Sequence, residues 1–107
     1  KLIHRAAFRR AFERGYLTLE NGKIISHFKT NSLLTYFLSR VFCNDKSDYK
    51  LGYVRWIKGN KPFPEKELYL LFGIRNLREI RKSHVTEKNY KKIIKDYEAV
   101  DNLFFTE

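Results

Sequence analysis

Apolar positions recur at helical spacing over most of this chain and alternate over two shorter stretches. Residues 2–14 read as a helix: Ile3, Ala7 and Ala11 fall along one side, Phe8 and Phe12 stack four apart further round, and Gly15 supplies a stop. Residues 16–20 and 23–28 flank Asn21-Gly22. Asn-Gly accepts the positive φ angles of a tight two-residue turn, so this segment is expected to be a β-hairpin. A lone ribbon is marginal in water and has to lean on helices or gain a third strand. Thr30 or Asn31 caps a third segment that runs to about Cys43. In it Leu33, Leu34, Phe37, Leu38, Val41 and Phe42 make a continuous apolar stripe, leaving Ser32, Thr35, Ser39 and Arg40 for the other face.

The second half is patterned less simply. Residues 44–48 are polar and read as loop, without the glycine and terminal glutamate of a calcium-binding loop. Residues 49–57 favour a strand, with Tyr53 and Arg55 on one face and Val54 and Trp56 on the other. Aromatic and cationic residues so placed are usually core and rim, and in single-strand binders they stack on bases. Pro64 suits the first turn of a helix whose positive end is favoured by Glu65 and Glu67. Leu68, Leu71 and Phe72 line its expected buried side; Gly73 ends it, and Ile74 plugs the turn. A second helix follows with Leu77, Ile80 and His84 on one face and Arg75, Arg78 and Lys82 opposite, beside Glu79; Arg81 borders the apolar face. Two short helices about a glycine turn are the outline of a helix-turn-helix. Tyr69 departs from that pattern, standing where a small residue normally lets the helices close up, and Leu77 and Ile80 fall early after the glycine. Ser83 or Thr86 is expected to cap a last helix through about Phe104, with Tyr90, Ile93, Ile94, Tyr97, Val100 and Phe104 inward and Lys88, Lys91, Lys92 and Lys95 outward. The predicted fold class is α+β and mostly helical: about five helices, a hairpin and one further strand. A hairpin lying beside the helix pair would make it winged-helix-like.

Length and charge sharpen this picture. A chain of 107 residues, 43% hydrophobic and 16% aromatic, suffices for one core, so residues 1–107 are expected to form a single basic globular domain. The sequence opens at Lys1 and holds no Met, as expected of a fragment of a longer chain. No apolar run has the length of a membrane span. The single Cys43 excludes an internal disulfide framework and a cysteine-based zinc site, and fits a reduced, cytoplasmic setting. The formal charge of +10 attracts phosphate backbones, anionic lipid surfaces or acidic proteins. Residues 75–95 hold eight Lys or Arg and two Glu, which is +6 of that total. A lysine face on a helix is most often only solvated. So much charge beside an Arg-bearing helix is the pattern of a surface that tracks phosphates. Arg75, Arg78, Arg81 and Lys82, with Lys88, Lys91, Lys92 and Lys95, are therefore the candidate double-stranded DNA contacts: the arginines and Lys82 at bases or groove edges, the later lysines on phosphates.

Catalytic patterns are missing. The chain has no glycine-rich phosphate loop, nucleophile elbow or paired histidines; His4, His27 and His84 lie on separate elements, and Glu65 and Glu67 point to different sides of one helix. No cofactor, metal or enzymatic activity is expected. The alternative to DNA binding is a protein-interaction or scaffold domain whose basic face steers an acidic partner. Apolar exposure around Trp56 or Phe104-Phe105 would favour that alternative, and a continuous basic groove would favour DNA.

From residue 28 onward the chain is similar to the C-terminal part of RteC-type regulators of bacterial conjugative transposons. The likeness rests on the lead Phe28-Lys29-Thr30-Asn31-Ser32-Leu33-Leu34-Thr35-Tyr36-Phe37-Leu38, the block Leu71-Phe72-Gly73-Ile74, and the basic run Arg78-Glu79-Ile80-Arg81-Lys82-Ser83. It covers about two thirds of the sequence, with Phe28-Lys29 standing where the family carries a tryptophan. The resemblance implies a winged-helix-like DNA-binding domain of a transcriptional regulator.

Overall fold

The architecture is built around one helix that is covered on every side. The structure, a computed structural model, describes residues 2–48, 55–86 and 94–105. Its elements are α1 (Leu2–Glu13), β1 (Leu17–Glu20), β2 (Lys23–Ser26), α2 (Asn31–Cys43), β3 (Lys46–Asp48), β4 (Arg55–Ile57), α3 (Glu65–Phe72), α4 (Leu77–Thr86) and α5 (Ile94–Asp101), followed by a short 3₁₀ turn (Asn102–Phe104). These make the chain α+β and mostly helical. Every residue of α2 from 33 to 39 is buried, because α1, α4 and α5 all pack against it. Thr35 and Ser39, expected on a polar face, are consequently inside. Thr35 accommodates this by donating its hydroxyl to the Asn31 carbonyl, 2.7 Å away.

The aromatic residues make this packing. On one side of α2, Phe37 stacks with Phe8 and lies 5.4 Å from Phe28 and 5.6 Å from Phe104. On the other, Tyr36 meets Tyr97 at 4.6 Å and Trp56 at 5.2 Å. Rings of this size carry roughly 1.5–3 kcal/mol each on full burial. α2 begins where Thr30 accepts a hydrogen bond from the Leu33 N–H at 3.1 Å. It stops where Asn44 enters the left-handed region at φ 64° and its N–H returns to the Ser39 carbonyl.

The first hairpin forms as expected. β1 and β2 pair antiparallel with Glu20 opposite Lys23, and Asn21 and Gly22 both take positive φ, 50° and 78°. It leans on α3, and Lys23 Nζ donates to the Leu70 carbonyl.

Several boundaries differ from expectation. β3 lies within the polar stretch read as loop and pairs antiparallel with β4, Ser47 opposite Trp56. Three polar residues show no alternation of their own; they are held by pairing and by the hydrogen bond between Ser47 Oγ and Tyr36 Oη. Of the strand expected over 49–57, residues 49–54 lie outside the described residues. α4 continues through Ser83 to Thr86 instead of giving way to a new helix at Ser83. Leu71, expected inside, is 39% exposed, since Leu68 and Phe72 alone face the core from α3. Phe42 likewise emerges at the end of the α2 stripe.

Candidate nucleic-acid interface

The loop between β4 and α3, residues 58–64, sits over the end of α2 so closely that only glycine fits at its start. A Cβ on Gly59 would lie 2.0 Å from the Cys43 carbonyl oxygen. The loop is anchored from beneath by Asp45, whose carboxylate is buried. It accepts from the Gly59 N–H at 2.6 Å, from Trp56 Nε1 at 2.7 Å, and from Arg81 Nε and Nη2 at 2.9 Å each. One carboxylate thus ties the end of α2, β4, the loop and α4 together. Burial would lower the Arg81 pKa, but the hydrogen bonds and charge of Asp45 reverse that and raise it. The Arg81 guanidinium also lies 5.9 Å from the Phe63 ring centroid.

This corrects the expectation for Arg81. Grouped by sequence with the DNA-contacting cations, it is only 8% exposed, and its fork is occupied by Asp45. It is a structural residue.

Above this anchor opens a cleft of about 810 Å³ between the loop, the start of α3 and α4. Lys58 and Lys61 line it from the loop, Lys66 from α3 and Arg78 from α4. A second depression of about 230 Å³ shares Glu65 and Lys66 with it and extends to Tyr69 and Arg75. There the Arg75 guanidinium stands 5.1 Å from the Tyr69 ring centroid. Tyr69, the departure from the helix-turn-helix pattern, is turned outward and 37% exposed. Lys58, Lys61, Lys66, Arg75 and Arg78 are all exposed, against Glu65 and Glu67 in the same lining. Arg78 is 3.7 Å from Glu65, both side chains being substantially exposed. Such a pair is worth about 0–1 kcal/mol, so Arg78 is free to exchange it for another anion.

Of the sequence-predicted set, Arg75 and Arg78 belong to this surface. Lys82 is exposed on α4, and Lys95 on α5, without lining the cleft. Lys88, Lys91 and Lys92 lie outside the described residues. Lys58, Lys61 and Lys66, which line the cleft, are not among the sequence candidates: Lys66 sits in α3 between Glu65 and Glu67, and Lys58-Gly59-Asn60-Lys61 looks like any polar turn. Its signal was two lysines bracketing a glycine just ahead of Pro62-Phe63-Pro64.

Among the described residues, no three His, Cys, Asp or Glu gather as a metal set, and no helix is long and apolar enough to cross a membrane. His27 is exposed and shares a 2.8 Å hydrogen bond with Thr18 Oγ1. Cys43 is a free, buried thiol whose pKa burial pushes up, so it is a poor nucleophile. Comparison with protein-family models, with curated proteins and with solved structures finds no match.

Proposed function

We propose that this chain is a non-enzymatic, cytoplasmic DNA-binding module of a bacterial transcriptional regulator or mobile-element protein. The observation that carries this reading is the joined basic cleft. Five exposed cations from two loops and two helices line it, while the one arginine beneath them is locked to a carboxylate. Phosphates are its natural occupants. The link between α3 and α4 is four residues long, and Gly73 opens it at φ 72°. The hairpin leans on α3 as a wing would. In this reading α4 approaches the groove through Arg78 and Lys82, which lie one turn apart on its exposed side. The resemblance to RteC-type regulators points the same way. Charge reversal tests it: Lys61→Glu and Lys66→Glu should each weaken binding to duplex DNA several-fold at low salt, whereas Arg9→Glu, the same charge change on α1, should have a much smaller effect. Equal effects at all three positions would reduce the surface to net charge alone.

A second reading has its own observation. Leu19 on β1 and Leu70 on α3 are 67% and 66% exposed on elements that both neighbour β2, and Phe105 is 60% exposed. Trp56 and Phe104, the other positions named for apolar exposure, are buried. A protein-interaction module would use these exposed side chains, with the basic cleft steering an acidic partner. It takes precedence if DNA does not bind.

A further inference from the structure

Beside the cleft, between the start of α1 and the end of α2, lies a depression of about 380 Å³ lined by His4, Arg5, Phe8, Val41, Phe42 and Lys61. This volume falls among those of small-ligand sites. Its walls divide by chemistry. Phe8, Val41 and Phe42 supply an apolar side, and Phe42 is 36% exposed, edge-on to Phe8 with 6.4 Å between centroids. Arg5 and Lys61 stand exposed at the rim. Burial first, and then neighbouring positive charge including Arg40 and Lys61, holds His4 below its ordinary value of 6.5, so the ring is neutral at pH 7. Lys61 also lines the basic cleft, so the two depressions lie on either side of one shared residue.

A purely apolar ligand would leave Arg5 and Lys61 without a counter-charge. A small inorganic anion would leave the Phe42 ring uncovered. A flat ring carrying a phosphate satisfies both walls, as in single-strand binders, where aromatic faces take bases and cations track the backbone. The geometry points to a nucleotide pocket, in which Phe42 takes the face of an unpaired base and Arg5 and Lys61 hold its phosphate. The inference rests on the DNA-binding reading: the occupant is the first unpaired nucleotide of a single-stranded tail or junction whose duplex lies in the cleft. A free mononucleotide carries the same chemistry.

The test compares three DNAs sharing one duplex, by fluorescence anisotropy at a fixed low salt concentration: blunt-ended, with a short thymidine tail, and with an abasic tail of equal charge. The thymidine tail should bind roughly 5- to 100-fold tighter than the abasic one. Phe42→Leu, which keeps apolar bulk but loses the ring face, should remove that gain while melting close to the parent protein. Equal affinity for the two tails, or a gain that survives Phe42→Leu, overturns the pocket. An NMR titration of the parent protein with thymidine monophosphate separates the two readings. Shifts at the Val41 and Phe42 amides without duplex binding would retain a pocket for a free nucleotide and sink the DNA reading. Duplex binding with no shift there would retain the DNA reading and sink the pocket.

Discussion

Arg78 and Arg81 stand three residues apart in one helix and do opposite work. Arg78 points outward to a loose, exposed pairing with Glu65; Arg81 points inward to a two-pronged bond with a buried carboxylate. Removing one partner of a buried ion pair strands the other, at about 3–5 kcal/mol. An exposed substitution usually changes stability by less than about 0.5 kcal/mol. Arg81→Ala should therefore lower the melting temperature sharply, while Arg78→Ala and Lys82→Ala melt as the parent does and lose affinity for DNA instead. Differential scanning calorimetry of the three variants checks this, and a parent-like melt for Arg81→Ala would contradict the anchor. Gly59 makes a complementary case. Forcing a Cβ against the Cys43 carbonyl pushes the loop off Asp45, so Gly59→Ala should destabilise by about 1–3 kcal/mol or more in urea unfolding, through sterics alone. A midpoint unchanged from the parent's would show that the loop does not depend on this approach.

At the scale of elements, α2 and α5 are joined by a buried polar group. Tyr36 Oη donates to Asp101 Oδ1 at 2.6 Å, and Arg40 Nη1 donates to the same oxygen at 2.9 Å. The Arg40 guanidinium also lies over the Phe104 ring at 4.4 Å. Burial, then the charge of Asp101 and the hydrogen bond to it, raise the Tyr36 pKa well above its ordinary 10. Burial likewise raises the Cys43 thiol above 9. Both groups keep their protons in the folded state at pH values where the unfolded chain loses them. Their contribution is intact below pH 9 and is lost progressively above pH 9 for Cys43 and above pH 10 for Tyr36. Thermal melts from pH 8 to pH 11 should show this decline, shallower in Tyr36→Phe than in the parent. An equally steep fall in both would remove Tyr36 as a cause.

Which elements could be read in advance follows from how local their causes are. The Asn21-Gly22 turn, the Thr30 cap and the Gly73 stop each depend on a few neighbouring residues, and all three stand as expected. Asp45 does lie in a loop, but its role as an anchor was not legible because its partners Trp56 and Arg81 are 11 and 36 residues away. Arg81 looked like surface for the same reason. Thr35 and Ser39 looked solvated because a helical stripe shows which side is apolar, not how many neighbours will cover it.

For the whole molecule, part of the positive charge gathers at one place. Arg75 and Arg78, expected from the sequence as DNA contacts, line the cleft and the depression beside it, and the lining is completed by Lys66 of α3 and by two lysines of a loop that periodicity passes over. Five exposed cations line the cleft and the depression beside it, and Asp45 anchors the loop that carries two of them, Lys58 and Lys61. This account predicts that duplex DNA bound there releases counter-ions, so log affinity falls linearly with log salt. The slope should be about −4 to −5 if each of the five cations neutralises one phosphate. The direct measurement is fluorescence anisotropy of labelled duplex DNA across a salt series, for the parent protein and for Lys58→Gln/Lys61→Gln/Lys66→Gln. The account predicts the steep slope for the parent and one shallower by roughly 3 for the triple variant. No binding at low salt, or the same slope in both proteins, would contradict the claim that this cleft is where DNA is held.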